Sequence, residues 1–176
     1  CSVQVVMECN RGGKAMEKIE AARLMMTAVC NMNCSYCYIS KNKGLSKIHE
    51  KIKEELDTKG VLGKLKESCP SEELEYLEFW GAEPTLNLEY VTKEMDGILR
   101  EFPNLATFMM SSNFATKGQI DKIVELINKI NDSVSDDREI VFRLQMSIDG
   151  PKEFSDDTRI LVGGEPAADI VAENFT

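Results

Sequence analysis

Four times in succession the chain has an apolar run of strand length, and after each of the first three come apolar residues at helical spacing. This alternation restricts the chain to architectures built from βα units. The runs are residues 21–29, 74–80, 105–111 and 140–148. Leu45, Ile48, Ile52 and Leu56 form the first helical stripe, which Gly60 and Gly63 interrupt. Leu88, Val91, Met95, Ile98 and Phe102 form the second. Ile120, Ile123, Val124, Ile127 and Ile130 form the third, with Thr116 placed to cap it. Residues 131–139 read as a turn-rich connector, and residues 167–175 as the start of another helix. Apolar residues on both parities of the strands predict parallel strands buried on both faces.

The expected fold class is α/β, a partial (βα) TIM-like barrel with parallel strands. A closed eight-unit barrel takes about 250 residues, so a chain of 176 residues supplies part of one. Residues 1–19 read as a lead-in segment and 20–176 as one core domain, incomplete at its C-terminus.

Each strand ends in polar punctuation: the cysteines after the first, Glu83 after the second, residues 111–113 after the third and 147–149 after the fourth. In parallel α/β folds that edge is where ligands bind. Three of the six cysteines fall within eight positions, Cys30, Cys34 and Cys37. A loop of this spacing can present three thiolates to one iron–sulfur cubane and leave one iron open. A fully ligated cluster passes electrons, whereas an open iron binds and activates a small molecule. The alternative is a structural zinc site completed by Cys69 or His49. The bland reading of His49 is an exposed helix residue, and that of Cys1, Cys9 and Cys69 is buried or incidental thiols.

The segment CNMNCSYC, residues 30–37, resembles the CxxxCxxC signature of the radical S-adenosylmethionine enzymes, including the aromatic residue before the last cysteine. FWGAEPT, residues 79–85, is similar to that superfamily's GGEP motif after the second strand, and QMSIDGP, residues 145–151, to its SLDGP element. The stretch 152–159, ending DDTR, resembles the HDxxR element of the subgroup with SPASM or twitch auxiliary domains, which includes anaerobic sulfatase-maturating enzymes and peptide maturases. The likeness covers residues 20–175 and looks like the N-terminal core of such an enzyme. Ala82 stands where the family prefers glycine, Ser155 where it has histidine, and Phe114 in a turn that is often TNG. Residues 163–166 spell GGEP literally, but after the fourth strand, where the proline reads as a helix opener.

The resemblance implies a 4Fe-4S cluster held by Cys30, Cys34 and Cys37, with S-adenosylmethionine chelating the open iron through its amino and carboxylate groups. Reductive cleavage then yields a 5′-deoxyadenosyl radical that abstracts a hydrogen atom from substrate. Tyr36 would offer its backbone to the adenine, or simply shield the loop. Gly81, Ala82 and Glu83 would receive the methionyl ammonium. Ser147 and Arg159 match positions that hold the carboxylate, and Asn113 and Asp149 are ribose or loop-shaping partners. Each polar residue has an ordinary turn or surface role as its alternative. No catalytic base is assigned.

The partners implied are a peptide or protein substrate and a reducing electron donor such as ferredoxin or flavodoxin, in a reducing, oxygen-poor cytoplasm. The net charge of −9 opposes a polyanion-binding surface spread over the molecule. The one basic run, Lys41 to Lys53, is interleaved with glutamates and reads as a solvated helix face, so nucleic acid is not an expected partner. No apolar stretch is long enough to span a bilayer. The competing readings are a zinc-binding or electron-transfer module, and a truncated fragment that binds a cluster without reacting.

Overall fold

The computed structural model describes residues 20–175 apart from positions 40, 43, 70, 71 and 136. The lead-in 1–19, with Cys1 and Cys9, and Lys43 of the basic run lie outside the described residues. Four strands, β1 (Ala21–Thr27), β2 (Tyr76–Gly81), β3 (Thr107–Ser112) and β4 (Val141–Met146), form one sheet in the order β1-β2-β3-β4. All neighbouring pairs are parallel. Helix α1 (Leu45–Ser68) joins β1 to β2, α2 (Leu88–Glu101) joins β2 to β3, and α3 (Lys117–Ser133) joins β3 to β4. Two short helices follow, α4 (Lys152–Thr158) and α5 (Ala168–Glu173). None of the described helices is long and apolar enough to cross a membrane.

The register explains where the core sits. Ala22, Leu77, Phe108 and Phe142 are partners in one row, and Leu24, Phe79, Met110 and Leu144 in another. Side chains of one parity share a face, and the buried members of these rows form one core with Ile52, Leu56, Val61 and Leu65 of α1 and with the buried faces of α2 and α3, whereas Ile48, expected in the first stripe, is exposed. Full burial of side chains such as Phe79, Phe108 and Met95 stabilises by about 1.5–3 kcal/mol each.

The expected burial of the strands on both faces is not what the structure has. The row between these two, Arg23, Glu78, Met109 and Arg143, lies on the face away from the helices, and Arg23 Nε donates to Glu78 Oε2 at 2.7 Å. Strand β4, one of the two edge strands among the described residues, exposes Val141, Leu144 and Met146, whereas the other edge strand, β1, buries Ala22, Leu24 and Met26.

The helical stripes need smaller corrections. Gly60 does break α1, with φ 69°, while Gly63 continues the helix. The Glu94 carboxylate fills the break and accepts from the Leu62 N–H at 2.8 Å, so a Cβ on Gly60 would meet Glu94 Oε1 at 2.3 Å. In α3 the buried set is Gln119, Ile123, Leu126 and Ile130, whereas Val124 is exposed. Arg138, in the connector, donates to the carbonyls of Leu99, Phe102 and Leu105 at 2.8–3.0 Å and so satisfies carbonyls at and beyond the end of α2.

Candidate functional site

Side chains from all four strand ends meet at one edge of the sheet. Cys30, Cys34, Cys37, Tyr36, Gly81, Ala82, Glu83, Asn113, Ser147 and Arg159 line a single cleft of about 200 Å³. Every cluster or cofactor residue that the resemblance implies is among them except Asp149. That carboxylate sits behind the cleft, 3.6 Å from Arg159 Nη1, and accepts from Thr158 Oγ1 at 3.1 Å.

The cysteine loop is held by a partner far along the chain. Asn33 donates its N–H to the Ile160 carbonyl at 2.7 Å, Ser35 to Thr158 at 2.9 Å, and Val162 to Asn31 at 3.0 Å, so residues 31–35 run antiparallel to 158–162. Met32 anchors the loop, buried in a satellite core with Ala115 and Ala167 against which Cys30 and Cys34 pack. The loop thus takes its shape from distant backbone as well as from its own spacing.

The three thiols are free and half-buried. Burial pushes the Cys30 thiol up to about 11, against the lowering effect of the Met32 N–H and the Asn113 amide. Burial also raises Cys34, against the neighbouring Arg159 guanidinium. A buried thiolate is costly without a cation or hydrogen bonds, and N–H donors aimed at a sulfur beside two further thiols are the surroundings of a metal–thiolate centre. The donor set fits an iron–sulfur cluster, and Cys30, Cys34 and Cys37 are the residues that would hold it. Cys69 belongs to the main core and His49 meets Thr27 Oγ1 at 3.1 Å through Nδ1, so neither joins the thiols. His49 is accordingly half-buried at the end of β1 and not the exposed helix residue expected.

Glu83 is 1% exposed and makes no ion pair among the described residues. Its Oε1 accepts from Thr85 Oγ1 at 2.7 Å, Ser112 Oγ at 2.9 Å and the Thr85 N–H at 3.3 Å, and its Oε2 accepts from the Asn113 N–H at 2.9 Å. All four donors are neutral, so this buried side chain has no cationic partner among the described residues. The 3-10 turn Pro84–Asn87 that follows supplies Thr85.

Gly81 brings β2 against β1. Its φ is 142°, and a Cβ there would lie 2.3 Å from the Thr27 carbonyl oxygen, which is backbone and has no room to yield. Gly81→Ala is therefore expected to cost about 2 kcal/mol or more. Thermal unfolding of the protein should show a melting temperature lower by several degrees; an unchanged transition would contradict this account of the strand junction.

Ala82, which stands where the enzymes it resembles prefer glycine, needs no positive φ. Among the described residues Phe114 alone of the non-glycine residues has positive φ, at 53°. The strain falls instead at Phe114, whose ring is buried and packs edge-on against Phe175 at 5.1 Å. Ring burial, worth about 1.5–3 kcal/mol, outweighs a left-handed backbone cost of about 1–2 kcal/mol.

Arg159 is 6% exposed and donates to the Tyr36 hydroxyl at 3.0 Å and towards Met32 Sδ at 3.7 Å. Burial, and then the Asp149 carboxylate, push the Tyr36 hydroxyl up to about 12. The tyrosine side chain itself remains 52% exposed over the mouth of the cleft. Ser147 is exposed at the rim, its N–H donating to the Ser112 carbonyl at 3.3 Å. The literal GGEP forms a turn, with Ile160 bridged to Pro166 and Gly164 at φ 92°, and it does not line the cleft. Pro166 is a bridge residue; the helix opens after it, at Ala168.

Sequence reasoning gave no role to Asn31, Met32 or Gln119, and it marked Ser112 and Thr85 only as parts of a strand-end segment and a motif. Gln119 carried a local signal of its own: it stands three residues after the N-cap Thr116, in the pattern of a capping box, and accepts from the Thr116 N–H at 2.7 Å.

A fold of parallel βα units with three thiols at its ligand-binding edge defines a class of iron–sulfur domain. Residues 21–162 match the family model described as a 4Fe-4S single cluster domain, and the chain belongs to that family. No curated protein and no solved structure matches the chain.

Proposed function

We propose that the chain is the core of a radical S-adenosylmethionine enzyme that modifies a peptide or protein side chain, and that its sheet is part of a (βα) barrel. The observation that carries this reading is Glu83. A module that only passes electrons has no use for a buried, cation-free carboxylate opening into the same cleft as the thiols, whereas the methionyl ammonium supplies the missing positive charge. The strand order supports the barrel, since every crossover steps to the adjacent strand in the same direction.

In this reading Cys30, Cys34 and Cys37 hold a 4Fe-4S cluster, which when bound supplies the electron that splits the sulfonium into methionine and a 5′-deoxyadenosyl radical. Glu83 and the carbonyls of Gly81 and Ala82 bind the ammonium. Arg159 retains N–H groups beyond those given to Tyr36 and Met32, and with Ser147 it orients the carboxylate. Tyr36 closes the mouth of the cleft and limits water. Asp149 holds Arg159 in place. The peptide substrate, and an electron donor of the ferredoxin or flavodoxin kind, belong to the same proposal.

Anaerobic reconstitution with iron and sulfide, followed by dithionite and S-adenosylmethionine, tests the reading. The expected result is a brown protein that forms 5′-deoxyadenosine. A bound cluster that is reduced without forming it would favour an electron-transfer module or an inactive fragment.

A further inference from the structure

A network of buried amides runs from the cysteine loop to Glu83, and its hydrogen-bond directions are set by backbone donors. The Ala115 N–H donates to Asn113 Oδ1 at 2.9 Å, which fixes that atom as the oxygen. The other end of the amide, Nδ2, then points at Asn31 Oδ1 at 2.8 Å and at Cys30 Sγ at 3.5 Å. Gln119 is fixed in the same way. The Thr116 N–H identifies its Oε1, so Nε2 donates to Asn113 Oδ1 at 3.1 Å and to Thr85 Oγ1 at 3.0 Å. Asn113 and Gln119 are 6% and 4% exposed, so water does not compete for these bonds.

Asn113 thus touches both halves of the site. Its side chain donates to a cysteine sulfur, and its backbone N–H donates to Glu83 Oε2 at 2.9 Å. We propose that Asn113, locked in orientation by Ala115 and Gln119, is a positioning residue that donates an N–H to the Cys30 sulfur and raises the reduction potential of the cluster. The physical reason is charge. Adding an electron places more negative charge on the cluster and its sulfur ligands, and a fixed donor at sulfur stabilises that state more than the oxidised one. A fixed hydrogen bond to a charged group is strong enough for a tenfold effect on a one-electron equilibrium.

Asn113→Ser is the principal test. The serine hydroxyl is suited to accept from the Ala115 N–H and keep the turn, but it is too short to reach Cys30 and brings no charge. In the reconstituted protein, poised at a fixed potential, the ratio of reduced to oxidised cluster is expected to fall about tenfold, equivalent to about 59 mV. Asn113→Asp, which also adds negative charge, should lower it further. Independently, the parent protein carrying 15N in its asparagine side chains should show nitrogen hyperfine coupling in the reduced, paramagnetic cluster. A ratio within twofold of the parent in an Asn113→Ser protein of full iron content overturns the proposal. So does absence of the coupling in the parent, and this second measurement decides the matter if the serine variant takes up no cluster. The inference rests on cluster binding and not on sulfonium cleavage. A protein with the expected order of potentials but no 5′-deoxyadenosine would overturn the proposed function and leave this one standing.

Discussion

Cys34→Ala is expected to abolish cluster binding while leaving the protein folded. The parent should take up about four iron atoms per chain, and the variant about a tenth of that or less, because two thiolates cannot retain a cubane that needs three from the protein. Folding should survive, since Cys34 packs against the satellite core of Met32, Ala115 and Ala167 and not in the main core beneath the sheet. Loss of one sulfur there costs about 1 kcal/mol, so the metal-free melting temperature should move by only a few degrees. Iron and sulfide analysis alongside thermal unfolding checks both halves. Full iron content in the variant would remove Cys34 from the ligand set, and one tightly held zinc in the parent would contradict the cluster altogether.

Under the proposed function Glu83→Gln is expected to have the second large effect, on the affinity for S-adenosylmethionine and not on iron. Replacing a buried charged partner of an ammonium costs about 2–5 kcal/mol, so affinity should fall about a hundredfold, with cluster content unchanged. The substitution also conflicts with its surroundings. The new amide nitrogen must face either the Asn113 N–H or the Thr85 N–H, and neither backbone donor can turn away. An unsatisfied donor of this kind costs about 1–3 kcal/mol, so a lower melting temperature accompanies the lost affinity. Equilibrium binding to the reconstituted protein, without oxygen, separates the two effects. Unchanged affinity would leave Glu83 as a structural residue tying β2 to β3 and would withdraw the observation on which the proposed function stands.

The site was legible in the sequence wherever one residue carries its own signal. The cysteine spacing marked the loop, and the polar residue at each strand end marked the ligand-binding edge. Glu83 was legible as a candidate, but its burial and its bonds to Ser112 and Asn113 were not, because they depend on two parallel strands lying side by side. Ala82 and Phe114 both looked like departures from a glycine position. Only backbone geometry shows that of these two Phe114 alone has positive φ and that Phe175, far along the chain, packs against its ring. His49 read as a surface residue on a helix rich in lysine and glutamate, yet α1 turns it towards Thr27.

Hydrophobic periodicity and turn chemistry, which act over a few residues, determined the four strands, the three crossover helices and the motif at each strand end. Tertiary structure alone decided which face of the sheet is covered, how Met32 and residues 158–162 clamp the cysteine loop, and how Asn113 and Gln119 join that loop to Glu83. Those contacts link positions up to 131 residues apart, as from Asn31 to Val162, and no local pattern encodes them, because hydrogen-bond partners are chosen only once the sheet register has set which side chains meet.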